Sequence, residues 1–566
     1  MAKHKYPVFL AFVFVIGFLG AIIWKTGVYF ETNDDRIITE ILSGSLTGKQ
    51  EYTPYYVNVL FSAPIAGLYH ITQQVPWYGL TLTVLHLTAL WVICYGVLEN
   101  CKEKVSIVVK AVILVGVLMM DIYMLGLIQY TSTAALLAIA GYLYLLLHNK
   151  YKQGMMCFFI LETISYLLRE QAMLMIQPLG AVVFINCTIW DEENTASCKR
   201  KKVGMWVTSL LIIFFIGSVG DIIGYSGEQW KNYKKFNQAR TEMFDYYGTP
   251  DYKEVRDILD QYHVSETQYT AFRHYIMWDS PITAECVSQL AEYQKNKMAQ
   301  KPSWNVIYND VVNLWTSSDY MKMNNVAIMI TAIVFIALLF FQRKMLISVV
   351  CLCVSQILIT AYLSYRGRCP NRIMLPLFIA QIIFLIVICA KIRCTQNEGR
   401  AVLHIIFSFV LCVAILIGGY KTGRYQYRTA MESNRGQKIY IVGREEVKEY
   451  CLKNPQNRYV LDAMSFCYYR GSAYEVGIYG AQNSIYSGSW YSKSPTMMAY
   501  EEKYLSETEP RVYVIVYDDG EALGRQAQYP AAAYFAEKTG REPQLADWFT
   551  VSHGGSYLVW YFGEKQ

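Results

Sequence analysis

Asp34 and Asp35 stand side by side in the stretch FETNDDRIITEILSGSLTG, residues 30–48, with Glu31 and Glu40 close by. The stretch begins a few residues after an apolar run that ends at Trp24. Carboxylates gain nothing from lipid, so an acidic pair here either caps a helix or acts on a substrate. In the first case Asn33 or Asp34 is the N-cap and the other acids favour the helix dipole. In the second, one carboxylate takes a proton from an acceptor hydroxyl. A second set of candidates is cationic: Arg169, and Arg366, Arg368 and Arg372 in the turn SYRGRCPNR. A guanidinium presents a fork of donors that matches phosphate oxygens, and it is weakly hydrated for a cation. A base together with cations that hold a leaving phosphate is what transfer from a lipid phosphate requires. The plainer alternative pairs these arginines with Glu162, Glu170 or lipid headgroups.

The elements that must position these residues are set by composition. The 566-residue chain is 54% hydrophobic and 17% charged, with a mean hydropathy of +0.20. Those values are too apolar for a soluble fold and too polar for a chain buried wholly in lipid. Apolar runs long enough to span fall at 7–24, 78–98, 105–120, 131–147, 203–223, 326–341, 345–363, 373–390 and 401–419. The run 155–185 fits one tilted helix or two short ones meeting at Arg169-Glu170. Short basic clusters arbitrate: Lys102/Lys104, Lys150/Lys152, Lys199 to Lys202, Arg343-Lys344 and Lys391/Arg393 all face the cytoplasm only if 155–185 crosses twice. The run 56–71, interrupted by Pro64 and flanked by tyrosines, then lies in the outer interface. This predicts about eleven crossings, with the N-terminus cytoplasmic and the C-terminus outside. The first run follows Lys3 and Lys5 and lacks an A-x-A cleavage site, so it is expected to stay as a membrane helix.

The expected architecture is mainly α, a polytopic membrane body over 1–422 that includes outer loops 25–77 and 225–325. An extracytoplasmic α/β domain over 423–566 follows, with strand patterns KIYIV, RYVLDAM, RVYVIVYDD and SYLVWYF and helical patterns REEVKEYCLK and PAAAYFAEKTG. Asp121, Gln129 and Glu162 lie in or beside membrane runs and are expected to bond between helices. The net charge of +6 sits largely in the basic clusters between apolar runs, which argues against nucleic acid as a partner. The fourteen cysteines and eight histidines show no metal-ligand spacing.

The order of parts resembles the GT-C class of membrane glycosyltransferases, nearest to bacterial O-antigen glucosyltransferase-like proteins. The resemblance rests on the first crossing, the NDD stretch, the interfacial run, a second crossing opening PWYGL, the outer segment EQWKNYKKFNQARTEMFDYYGTPDY (228–252) and the terminal domain. It implies a sugar on a polyprenyl phosphate as donor, an extracytoplasmic glycan or lipid-linked acceptor, inversion, and Asp34 or Asp35 as catalytic base. Trp230, Tyr233 and Arg240 in the second outer loop are candidates to bind sugar. The chain lacks the HPPL-like step and the WWD-type motif of related classes, which leaves the acceptor and any divalent metal open. A polysaccharide polymerase or ligase is the next expectation, although such proteins concentrate their outer mass in one internal loop. A transporter or flippase would show paired broken helices, and no two-fold repeat is present. No outer segment carries an Asn-x-Ser/Thr acceptor, which fits a bacterial plasma membrane.

Overall fold

The computed structural model describes residues 2–562 apart from 101–106, 149, 193, 278–280, 300–304, 306–307, 310, 314–322, 392–397, 477–482, 507–511, 519–528 and 553. Lys102, Lys104 and Arg393 therefore lie outside the described residues. Among those described, nine helices are long and apolar enough to cross a membrane. One of them, Tyr151–Ile189, has 39 residues and breaks at Arg169, where φ is −160° and ψ is 98°. Unbroken, it would run about 58 Å, roughly twice a hydrocarbon core. Counting its halves separately gives ten segments, and the eleventh expected crossing falls on the 13-residue helix Ile107–Met119. The run expected to lie in the interface forms a helix of only 13 residues, Val59–Ile71, with Pro64 inside it.

The chain divides into two units, each assembled from separated segments. The first comprises Met1–Glu31, Tyr78–Gly220 and Ser303–Asn434. Its centre is the helix Tyr130–Leu147, buried almost throughout and packed along Tyr151–Ile189 and Asn371–Ala390. Close packing there depends on a missing side chain: a Cβ on Gly180 would lie 2.4 Å from the Tyr142 ring. Several buried polar groups there pair with one another, which lowers the cost of placing them in lipid. His86 Nε2 lies 2.9 Å from Asp121 Oδ2, and Gln177 Nε2 donates to Glu162 Oε2 at 2.9 Å. Gln129 caps the helix Tyr130–Leu147 by accepting from the Thr131 and Ser132 amides. The exit from the first helix is pinned by parallel pairing of β1 (Tyr29–Phe30) with β2 (Leu127–Ile128). Asn434 Nδ2 adds bonds to the Thr26 and Gly126 carbonyls.

The second unit comprises Thr32–Trp77, Asp221–Pro302 and Arg435–Gln566. Its helical part packs Met243, Leu259, Tyr269, Phe272 and Leu290 into one core. Its sheet has five strands: β3 (Arg458–Leu461), β4 (Ser484–Tyr486), β5 (Val512–Asp518), β6 (Gln544–Thr550) and β7 (Ser556–Tyr561), in the order β4-β3-β5-β7-β6. β3 pairs in parallel with β4 and β5, while β7 runs antiparallel to β5 and β6. Three of the expected strands are present, but KIYIV (438–442) is helical, inside the 56-residue helix Glu398–Lys453. The buried positions Ala430, Asn434, Gln437, Arg444, Val447 and Cys451 recur at helical intervals, while Ile439, Tyr440 and Val442 are exposed. A five-residue apolar run fits either period, and the flanking helix decides it. β4 is too short and β6 too exposed to have shown a strand pattern.

Candidate functional site

The NDD stretch forms the helix Asn33–Ser43, which starts at least one residue earlier than the capping pattern predicts. Thr32, extended at φ −129° and ψ 159°, occupies the N-cap, so Asn33, Asp34 and Asp35 fill the first turn. Both aspartates there favour the positive end of the dipole. Gly44 ends the helix at φ 78°, where a Cβ would also meet the Gln50 amide nitrogen at 2.7 Å. Every residue from Asp35 to Ser43 is buried, so the helix is enclosed on all sides from its third residue onward. The two acids fall on either side of that boundary. Asp35 is fully buried and accepts from Thr32 Oγ1 at 3.3 Å. Asp34 is half-buried and accepts from the Trp490 indole Nε1 at 3.1 Å.

Trp490 belongs to the Ser- and Gly-rich loop 487–494, between β4 and the helix Pro495–Ser506. Ser487 N donates to the Leu461 carbonyl, and Ser489 N to Ser492 Oγ, which holds the loop in a defined course. A Cβ at Gly488 would overlap the Tyr275 carbonyl, so only glycine allows this approach. Tyr275 itself adopts φ 62°, a left-handed conformation that costs a non-glycine residue energy and recurs at functional sites. The Trp490 ring stands edge-on to Tyr56 at 5.0 Å between centroids. Tyr56 Oη accepts from Arg240 Nη2 at 2.8 Å, and Arg240 Nε donates to Asn237 Oδ1 at 3.0 Å.

Arg240 is buried, which disfavours its charge, yet Tyr56, Asp245 and Tyr275 hold its protonation firmly above the usual range. Burial pushes the Tyr56 phenol up, against the pull of Arg240, and the Asp34 and Asp245 charges push the same way. Tyr275 is raised to about 12, again mainly by burial. Asp34 therefore sits at the rim of a neutral aromatic wall backed by one firmly protonated cation. Trp230, half-buried, packs edge-on against Tyr225 and Tyr233. Edge-on contacts continue from Tyr233 through Tyr491 to Trp490.

The other end of the NDD helix is closed. Glu40 Oε1 accepts from Arg36 Nη1 at 2.8 Å and from Arg444 Nη2 at 3.2 Å. Arg444 also donates to Tyr469 Oη at 3.0 Å and Tyr486 Oη at 3.2 Å, and Tyr469 donates to Glu475 Oε1 at 2.7 Å. Burial opposes the charge of both arginines, but the acids and phenols around them more than restore it, and both are raised.

The other arginines singled out lie in the first unit. Arg169 occupies the break in Tyr151–Ile189, its guanidinium 5.5 Å from the Tyr130 ring centroid. Arg366 caps the helix Leu346–Tyr365, Arg368 follows in the turn, and Arg372 lies in the first turn of Asn371–Ala390. All four are partly buried. Tyr151–Ile189 packs against both of the helices that flank this turn. Among the described residues no group of three or more His, Cys, Asp or Glu is placed to hold a metal ion. The sequence reading missed Trp490, Tyr56, Asp245, Tyr275 and Arg444. Of these only Trp490 carried a local signal, a tryptophan in a loop of small polar residues.

No family model and no curated protein matches the chain. Among solved structures, that of ArnT from Cupriavidus metallidurans bound to undecaprenyl phosphate aligns with a TM-score of 0.50. The alignment covers 98% of this chain and 97% of that one at 8% identity. The structure of the same protein in the apo state aligns over 99% and 98%, with a TM-score of 0.48 and 8% identity. The alignment runs over nearly the whole of both chains. The chain thus has the GT-C fold of ArnT, as the order of its parts led us to expect.

Proposed function

We propose that the chain is an inverting membrane glycosyltransferase of the hexosyltransferase type. It moves a sugar from a polyprenyl-phosphate donor to an extracytoplasmic glycan or lipid-linked acceptor. The observation that carries the proposal is the half-open Asp34 at the rim of an aromatic, cation-backed wall, in the segment that follows the first apolar helix. The fold supports it, being shared with a protein whose solved structure holds undecaprenyl phosphate.

Asp34 is the base because it reaches solvent, whereas Asp35 is sealed under the first turn. Its carboxylate takes the proton of an acceptor hydroxyl as that oxygen attacks the anomeric carbon. The bond from that carbon to the phosphate oxygen breaks, and the configuration inverts. Arg169, Arg366, Arg368 and Arg372 receive the charge that develops on the leaving phosphate, while Trp230 and Arg240 shape the sugar side. In this scheme residues 1–422 form the body in a bacterial plasma membrane, with the N-terminus cytoplasmic and residues 423–566 outside.

Transfer from a radiolabelled polyprenyl-phosphate sugar in membranes tests the base. Asp34→Asn is expected to lower the rate by about two to four orders of magnitude with unchanged protein level. Wild-type transfer by this variant would remove Asp34 from the mechanism. Arg368→Ala is expected to raise the donor KM about tenfold, with partial recovery in Arg368→Lys, because a point charge makes no bidentate contact.

A further inference from the structure

The first unit holds a cavity of ≈ 980 Å³ where the helix Ile107–Met119 ends and the helix Met323–Phe341 begins beside the middle of Glu398–Lys453. Its apolar wall comes from Met119, Val326, Met329 and Leu416, and its other side from Lys421, Arg424 and Arg428. The cations follow the apolar run 401–419 directly, and their spacing sets them on one helical face over about 11 Å. All three are exposed, and among the described residues none pairs with a carboxylate. The Thr422 hydroxyl also lines the cavity, fully buried and without a hydrogen-bond partner among the described residues. The shape of the cavity is rigidly set. A Cβ on Gly419 would meet the Gly116 backbone at 3.0 Å, and one on Gly423 the Met119 carbonyl at 2.9 Å. The helices Glu398–Lys453 and Ile107–Met119 therefore touch backbone to backbone beside it.

An apolar wall ending in three cations matches an amphiphile with an anionic head. We infer that this cavity binds a lipid phosphate monoester, the class of product released when a sugar leaves a polyprenyl-phosphate donor. The choice of lipid rests on the proposed transfer; the site itself does not. Charge favours a monoester over the common phospholipids. A phosphate monoester carries about −1.5 to −2 near neutral pH, whereas a phosphodiester carries about −1, which leaves more of the three cations uncompensated. The site is separate from Arg169 and the 366–372 turn, none of which lines it. It gives the spent carrier a place to be held after transfer.

Native mass spectrometry of the full-length protein in detergent, titrated with a polyprenyl monophosphate, counts retained lipids. The variant Lys421→Ala/Arg424→Ala/Arg428→Ala is expected to lose one retained lipid, with an affinity loss of about a hundredfold, roughly fivefold per cation. Met329→Trp, which fills the apolar side and leaves every cation in place, is expected to lose the same lipid. Phosphatidylglycerol should be retained at least tenfold more weakly, and inorganic phosphate should not displace the polyprenyl lipid at equal concentration. Equal retention by the wild type and both variants, or phosphatidylglycerol bound as tightly as the monoester, overturns the inference. So does full displacement by inorganic phosphate. Asp34→Asn should keep this lipid, so failure of the transfer mechanism and failure of this site are read from different measurements.

Discussion

At the Glu40 end of the helix Asn33–Ser43, one carboxylate takes two guanidinium donors in a setting closed to solvent, with two phenols and Glu475 completing the network. At the Asp34 end, a carboxylate accepts from the Trp490 indole and is only partly buried. The two settings lie less than two turns apart, and their difference separates structure from chemistry. A buried charge must be compensated on every side or it destabilises the fold, so the Glu40 network is committed to holding the helix in place. A base must still reach a proton, so Asp34 is tethered without being enclosed. The closed end fixes the helix on which the open end works.

Three substitutions would sharpen or break this contrast, beyond Asp34→Asn, whose loss of transfer is the largest effect expected. Arg444→Ala strips Glu40 of one partner and removes a donor from two phenol oxygens. It should cost about 3–5 kcal/mol of stability, seen as a lower thermal midpoint or loss of folded protein, with transfer falling in step with the folded fraction. A stable Arg444→Ala protein with selectively lost transfer would move the chemistry to the closed end. Asp35→Asn should cost about 1–3 kcal/mol, the typical penalty for disturbing a buried hydrogen-bonding group. Transfer per folded molecule should stay near wild type, and a Tm measurement beside a transfer assay separates the two. Trp490→Phe keeps the ring against Tyr56 and removes the donor to Asp34. A hydrogen bond to a charged group contributes about 1.5–3 kcal/mol, and Asp34 keeps water as a substitute on its open side. The expected loss in kcat/KM is therefore roughly tenfold, with little change in Tm. An unchanged rate would mean that the tether does not position the base.

How much of this was legible in advance follows the range of each signal. The apolar runs appear as helices because hydropathy over about twenty residues is a local property, although the run 401–419 lies in a helix that continues to Lys453. The break at Arg169 was legible for the same reason, as a charged pair in the middle of an overlong run. KIYIV was misread because five residues cannot separate a strand from one turn of a long helix, and the 56-residue helix around it decides. The NDD helix was read correctly as acidic at its start, although Thr32 rather than Asn33 or Asp34 takes the N-cap.

The chemistry of the site was only half legible. An acidic pair after the first apolar run is visible to anyone reading the chain, and so are arginines on short loops. The roles of the two neighbours are not, because Asp34 and Asp35 share a residue type and differ by about 100° around a helix axis. Periodicity would bury the wrong one, since Asp34 shares a face with Ile37, Ile38 and Ile41. Asp35 is the buried acid because packing encloses the helix on all sides from Asp35 onward. Nor does any periodicity join Asp34 to Trp490, 456 positions later, or Glu40 to Arg444, 404 positions later. The sequence by itself determined a helical membrane body, an acidic helix start and three of the strands near the C-terminal end, since each follows from hydropathy, capping or alternation over a short span. The tertiary structure alone decided which carboxylate is enclosed and which stays open, because that depends on contacts between segments the chain brings together only on folding.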